Sequence, residues 1–180
     1  MAKLTFRKVT QDVENCGFDC GISSINEYVE NSYYPAITQD AYAYSISYDK
    51  KIIGYYQIMF REVQFDDLPD ELSELDPCIK PSCVSAVHLR FIAIDKKYQG
   101  HDIGTTVLKI IINDVLDLAE RWPIRILTID AERELIDWYT DFGFKNMVRN
   151  TPGQDGTTVA MYFDCMKYPD ELDAYFNQII

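Results

Sequence analysis

The stretch Tyr98-Gln-Gly-His-Asp-Ile-Gly-Thr105 lies between an apolar run, Val87-His-Leu-Arg-Phe-Ile-Ala-Ile94, and an amphipathic segment from Ile103 to Arg121. That order predicts a strand, a glycine loop and a helix, and it constrains the fold more than any other part of the chain. A loop of this kind aims its backbone N–H groups and the first turn of the helix at one point. The helix dipole adds roughly half a positive charge at the same place. The natural occupant is a phosphate or pyrophosphate. Helical spacing puts Ile103, Val107, Ile110, Ile111, Val115 and Leu118 on the buried side. Pro123 stops the helix, and Ile124 to Asp130 reads as the next strand, completing a strand–helix–strand unit.

The remaining segments fit around that unit. Leu4 to Val9 alternates and predicts a first strand. Ile22 to Tyr34 has helical spacing, with Ser23 or Ser24 as cap and Pro35 just beyond its end. Ala41 to Tyr48 and Ile52 to Phe60 form a hairpin through Asp49-Lys50. Leu68, Leu72 and Leu75 predict a short helix within the acidic run from Glu62 to Asp76. Ala131 to Tyr139 reads as a short helix, Phe144 to Val148 as a strand, Thr151 to Gly156 as a loop and Thr157 to Cys165 as the last strand. Pro169 to Ile180 suits a final helix. One domain is expected over 1–180, with its core at about residues 3–165 and the tail at 169–180.

Composition removes several function classes. No apolar run is long enough to span a bilayer. Residues Met1 to Val9 alternate and show no secretory signal, so a cytoplasmic protein is expected. The five cysteines form no paired clusters and read as reduced thiols. With only His88 and His101 to join them, no metal site is expected. The formal net charge is -12, which disfavours nonspecific nucleic-acid binding and suits a cationic acceptor, because an acidic surface concentrates cations.

Two motifs carry a resemblance. Gln99, Gly100, His101, Ile103, Gly104 and Thr105 align with an Arg/Gln-x-x-Gly-x-Gly/Ala loop, and Tyr139-Thr-Asp-Phe-Gly143-Phe144 follows after a helix and a strand. Both together resemble the GCN5-related N-acetyltransferase (GNAT) family. The resemblance implies an α+β fold, a mixed central sheet of about seven strands flanked by helices. It implies acetyl-CoA as co-substrate, with Phe91, Ile92, Ala93 and Ile94 pairing with the pantetheine arm. Gln99, Gly100, His101, Asp102, Ile103, Gly104 and Thr105 would hold the pyrophosphate, beside Lys96 and Lys97. Asp102 departs from the motif, which has glycine there. Asp tolerates the positive φ that this position demands, and its carboxylate is expected to face solvent.

The chemistry is attack of a neutral amine on a thioester, which needs a proton acceptor for the ammonium and a donor for the leaving thiolate. The resemblance places Tyr139 beside the thioester sulfur. A phenol of pKa about 10 is a suitable general acid. Glu62, at the end of the third strand, or His88, with a reference pKa near 6.5, is the candidate base.

For the acceptor, the residues point first to a small-molecule amine or basic peptide. Acidic residues 62–76 would flank the cleft, and Tyr33, Tyr34, Tyr42, Tyr44, Tyr55 and Tyr56 would line it. The alternative rests on Phe18-Asp-Cys-Gly21 and Gly54-Tyr-Tyr56, which resemble the family branch of toxins that acetylate aminoacyl-tRNA. That reading makes tRNA the one nucleic-acid partner. A non-catalytic acyl-CoA-binding module is the third possibility, motivated by Asp102. A monomer or homodimer is expected.

Overall fold

The computed structural model describes residues 4–13, 17–69, 72, 82–147 and 157–166. In chain order they form β1 (Leu4–Lys8), α1 (Ser23–Glu30), α2 (Tyr33–Ile37), β2 (Tyr42–Tyr48), β3 (Lys51–Gln64) and β4 (Cys83–Ile94). Then come α3 (Ile103–Ala119), β5 (Ile126–Glu132), α4 (Ile136–Thr140), β6 (Lys145–Asn146) and β7 (Thr158–Asp164). The strands make one seven-stranded sheet of order β1-β2-β3-β4-β5-β7-β6. The β4–β5 pair is parallel and the other neighbours are antiparallel. A parallel pair needs a crossover between its strands, and α3 supplies it. The α+β mixed sheet expected from the sequence is the fold observed.

The two faces of the sheet are covered by different helices. One face packs Val87, Leu89, Leu127, Ile129 and Met161 against Val107, Leu108, Ile111 and Val115 of α3. The other packs Tyr55, Phe91 and Ala93 against Val29 and Ile25 of α1. A bulge makes both possible. Gln57 pairs with Phe91 and Ile58 with Leu89, which leaves Arg90 as an extra residue in β4. An extra residue shifts the side-chain alternation by one. Leu89 therefore belongs to the α3 cluster and Phe91 to the α1 cluster.

Several local expectations change. Ile22, not a serine, is the N-cap of α1, and it makes no side-chain cap bond. The helix expected to run to Tyr34 breaks at Asn31–Ser32, where the Ser32 hydroxyl donates to the Val29 carbonyl at 2.7 Å. Pro35 lies inside α2 rather than beyond a helix. It occupies the first turn, where a missing N–H costs nothing. Leu108 and Ile112 of α3 are buried, whereas Ile110 and Leu118 are only half-buried. β5 continues through Asp130 to Glu132, where a helix was expected, because β7 pairs with it as far as Thr158. The helix expected at Leu68–Leu75, the loop at 151–156 and the tail at 169–180 lie wholly or largely outside the described residues.

Gly54 shows how closely β3 and β4 approach. A Cβ there would lie 2.5 Å from the Ala93 carbonyl oxygen and 2.9 Å from Ile94 Cδ1. Gly54→Ala should destabilise the fold by about 2 kcal/mol, the usual scale of overpacking. A lower urea midpoint with unchanged slope would show it, and an unchanged midpoint would refute the close approach.

Candidate active site

β4 and β5 pair only from Ala86 to Leu89, against Ile126 to Ile129. Among the described residues, beyond Leu89 β4 keeps only β3 and β5 keeps only β7. The sheet splits there, and two clefts open at the carboxyl ends of the parallel strands, where α/β crevices form.

The first cleft, of about 500 Å³, is lined by Ile92, Ala93, Ile94, Gln99, Gly100, Asp102, Ile103, Gly104 and Thr105, with Trp138 and Tyr139 opposite. Asp102 is exposed, and its φ of 55° is left-handed. It is the residue before α3, and its side chain makes no cap bond. First-turn N–H groups of a helix have no intrahelical partner, so those of α3 remain available at this cleft. Gly100, with φ 76°, supplies the turn before it.

Two loop side chains do other work. Gln99 Nε2 donates to the Ile94 carbonyl at 2.8 Å and to the Cys20 carbonyl at 2.9 Å. His101 Nδ1 lies 2.8 Å from the Gln99 carbonyl oxygen, and His101 does not line the cleft. Phe91 also faces away from this cleft and lines the second one. Lys96, expected in the basic patch beside the pyrophosphate, is paired with Asp19 at 2.9 Å.

The second cleft, of about 740 Å³, is lined by Tyr28, His88, Arg90, Phe91, Asp130, Glu132, Leu135 and Tyr139, among others. Tyr139, Leu135, Ile22, Ile25 and Ile92 line both clefts. Tyr139 is the polar side chain at their junction. Its position follows from its motif. Gly143, at φ 90°, ends α4, and the Tyr139 carbonyl accepts from the Phe142 and Phe144 amides at 3.0 and 3.2 Å. Phe144 packs edge-on against the Tyr139 ring, centroids 5.5 Å apart. Burial raises the phenol well above its ordinary pKa, so it stays protonated at any physiological pH and can only give a proton.

His88 is buried, with Nδ1 3.0 Å from Thr128 Oγ1 and Nε2 3.8 Å from Asp130 Oδ2. Desolvation, then the charge of Arg61, holds its pKa down to about 4. A neutral imidazole this reluctant to protonate is a weak base. Glu62 lines a third cleft, of about 320 Å³, with Arg61, Asp67 and Asp130, and the structure does not bring it beside Tyr139. Asp130 lines both the second and third clefts. Sequence reasoning missed Asp130 and Glu132 because it placed that segment at a strand end and in a helix. Of the tyrosines expected around the acceptor, none lines the first two clefts. Tyr55 and Tyr56 are core residues, and Tyr44 stacks on Tyr56 with centroids 5.0 Å apart. Tyr28 takes that place instead.

A mixed sheet split beside a helix-headed anion loop, with a phenol at the junction, defines the acetyltransferase class of α+β folds. The chain belongs to the GNAT family: its acetyltransferase (GNAT) domain matches residues 17–163. It is an N-acetyltransferase. Among curated relatives, the probable toxin TacT of Sinorhizobium fredii is 20% identical over 143 residues, 73% of this chain and 78% of the relative. Among solved structures, AtaT complexed with acetyl-methionyl-tRNAfMet has a TM-score of 0.73 at 20% identity, covering 97% of this chain and 99% of that one. AtaTR bound with acetyl-CoA has a TM-score of 0.71 at 22% identity, covering 96% and 98%. Among the described residues no helix is long and apolar enough to cross a membrane.

The depressed His88 gives a pH dependence. The unfolded chain binds its proton below about pH 6.5 and the folded chain only below about 4. Stability contributed by neutral His88 is therefore complete above pH 6.5 and is lost as pH falls toward 4. Full loss amounts to about 3 kcal/mol at 1.36 kcal/mol per unit. Urea midpoints at pH 7 and 4.5 should converge in His88→Gln relative to the parent; equal slopes in both proteins would refute the assignment.

Proposed function

We propose that this protein transfers the acetyl group of acetyl-CoA to the amino group of an aminoacyl-tRNA. The observation that carries the reading is the junction itself: Tyr139 closes both a cleft headed by the α3 amide cluster and a wider cleft with mixed charges. The first suits a pyrophosphate-bearing co-substrate. The left-handed Asp102 gives the backbone path that a glycine would give, so the altered motif still fits. Acetyl-CoA, when bound, supplies an acyl thioester at the split between β4 and β5.

The chain's own residues do the rest. The free edge of β4 at Ile92–Ile94 orients the acyl donor, and the N–H groups from Gly100 to Thr105 hold its pyrophosphate. Tyr139 donates a proton to the departing thiolate. Asp130 and Glu132, on the cleft wall, draw in the ammonium, and water in that cleft takes its proton. Arg90 and Tyr28 share that cleft, with the Arg90 guanidinium carbon 4.5 Å above the Tyr28 ring. A stacked cation of this kind suits the phosphate and base of a nucleotide end.

The similarity to TacT and to AtaT in its acetyl-methionyl-tRNAfMet complex favours this acceptor over a free amine. It also suggests a protein partner, since another AtaT structure is bound to the C-terminus of the antitoxin AtaR. The second reading is a small cationic amine, which the net charge of -12 and the carboxylates of the cleft favour. Labelled acetyl-CoA offered to a mixture of charged tRNA and polyamines separates the two. Label in the tRNA fraction is expected; label confined to small amines would reverse the order.

Two variants test the roles. Tyr139→Phe should lower kcat about 10²- to 10⁴-fold, the range for a lost general acid, while acetyl-CoA still binds; an unchanged kcat would remove the phenol from the mechanism. Asp102→Gly should tighten acetyl-CoA binding several-fold, roughly the effect of removing one nearby carboxylate at a helix N-terminus, and an unchanged Kd would show that the carboxylate does not face the ligand. Titration calorimetry would read that change.

A further inference from the structure

The segment Phe18-Asp-Cys-Gly21 is far in sequence from the α3 loop, yet it is bonded to it repeatedly. Asp19 Oδ2 pairs with Lys96 Nζ at 2.9 Å, and the Lys96 amide donates to the Asp19 carbonyl at 2.9 Å. Gln99 Nε2 ties the Cys20 carbonyl to the Ile94 carbonyl. The segment is itself shaped by Asp19, whose Oδ1 accepts from the Gly21 amide at 2.8 Å and from Asn26 Nδ2 at 3.0 Å. Asn26 Oδ1 in turn accepts from the Cys20 amide at 3.0 Å. Gly21 has φ 97°, and a Cβ there would lie 2.9 Å from Lys96 Cε. The Lys96 stem thus lies across the turn that leads into α1.

We propose that Asp19 is a positioning residue: it fixes the lead-in to α1 against the loop that leads into α3, and so sets the shape of the anion cleft. The proposal rests on the reading of that cleft as the acetyl-CoA site. Its reach includes the acceptor side, because Ile22 and Ile25, immediately after the clamp, line both clefts. Asp19 is held ionised, with a pKa of about 2, by its bonds from Lys96, Asn26 and Gly21. The pair is half-exposed, at 57% and 54%, so its attraction is modest. What it supplies is direction. The Lys96 ammonium is committed to Asp19 rather than offered to a phosphate.

Titration calorimetry with acetyl-CoA tests this in Asp19→Asn, Lys96→Met, Lys96→Arg and the Asn/Met double variant. Asp19→Asn keeps Oδ1 for Gly21 and Asn26 and replaces the Oδ2 that accepts from Lys96 with an amide NH2, removing both the charge and that bond. Asp19→Asn and Lys96→Met should each raise the acetyl-CoA Kd about threefold, the scale of an exposed pair. The double variant should be no weaker than either single, and Lys96→Arg should restore the parent value. If Lys96 instead grips phosphate directly, Asp19→Asn frees it and tightens binding while Lys96→Met weakens it; that pattern overturns the proposal. A lowered Tm with unchanged Kd in all variants overturns it too, since the bonds would then serve stability alone. A parent protein that binds no acetyl-CoA would remove the cofactor reading and the clamp together. Binding without transfer to tRNA would remove the acceptor reading and leave the clamp standing.

Discussion

The extra residue at Arg90 is the constraint on which the site depends. A regular β4 would keep one alternation from Val84 to Ile94, and its upper half would turn the wrong faces to α1 and α3. The bulge moves Phe91 and Ala93 onto the α1 face and leaves Ile92 and Ile94 toward α3. It comes directly after Leu89, the last residue of β4 paired with β5. Bulges bend the strand that carries them, and here the bend coincides with the split that opens both clefts. Parallel pairing below the bulge supplies a rigid base; a free strand edge above it supplies a place for a ligand.

Holding Tyr139 at the split takes a second set of contacts, mostly aromatic. Trp138 packs edge-on to Tyr139 at 4.7 Å and to Phe142 at 5.2 Å. Its indole N–H donates to Thr105 Oγ1 at 3.4 Å, a long bond. Edge-on aromatic pairs each contribute about 0.5–1.5 kcal/mol beyond their burial. The first turn of α3 and the short helix α4 are therefore joined through Trp138. The glycine loop and the Tyr-x-x-x-Gly-Phe motif are thus in contact through one side chain despite their separation in sequence.

What could be read from the sequence was local. The left-handed backbone at Asp102 and the long strand before the loop follow from rules that act within a few residues. What could not be read depends on contacts across the sheet. Nothing near Asp130 shows that β7 will carry β5 onward to Glu132 and put two carboxylates on the cleft wall. Nothing near Lys96 shows that Asp19 will meet it. His88 has an ordinary sequence context; the sheet buries it and Arg61 charges its surroundings, and only then does it become a poor base. The tyrosines misled for a related reason. Alternation shows that Tyr55 and Tyr56 point to opposite faces, but not that both faces of the strand are covered by helices.

The strongest physical objection to an RNA acceptor is the charge of -12, and the structure changes its weight. Net charge governs long-range attraction, which falls off over a Debye length of about 8 Å at physiological ionic strength. Inside a cleft the neighbouring groups decide. Arg90 lines the second cleft, stacks on Tyr28 and forms no ion pair among the described residues. Lys96, by contrast, is neutralised by Asp19. Two cations of this chain are thus spent differently: Lys96 is paired with Asp19, and Arg90, in the second cleft, forms no ion pair among the described residues. On the proposed reading, Asp130 and Glu132 on the same cleft wall would meet the amine and Arg90 a phosphate. An acceptor carrying both groups fits that arrangement better than a polyamine, which would leave Arg90 facing a like charge.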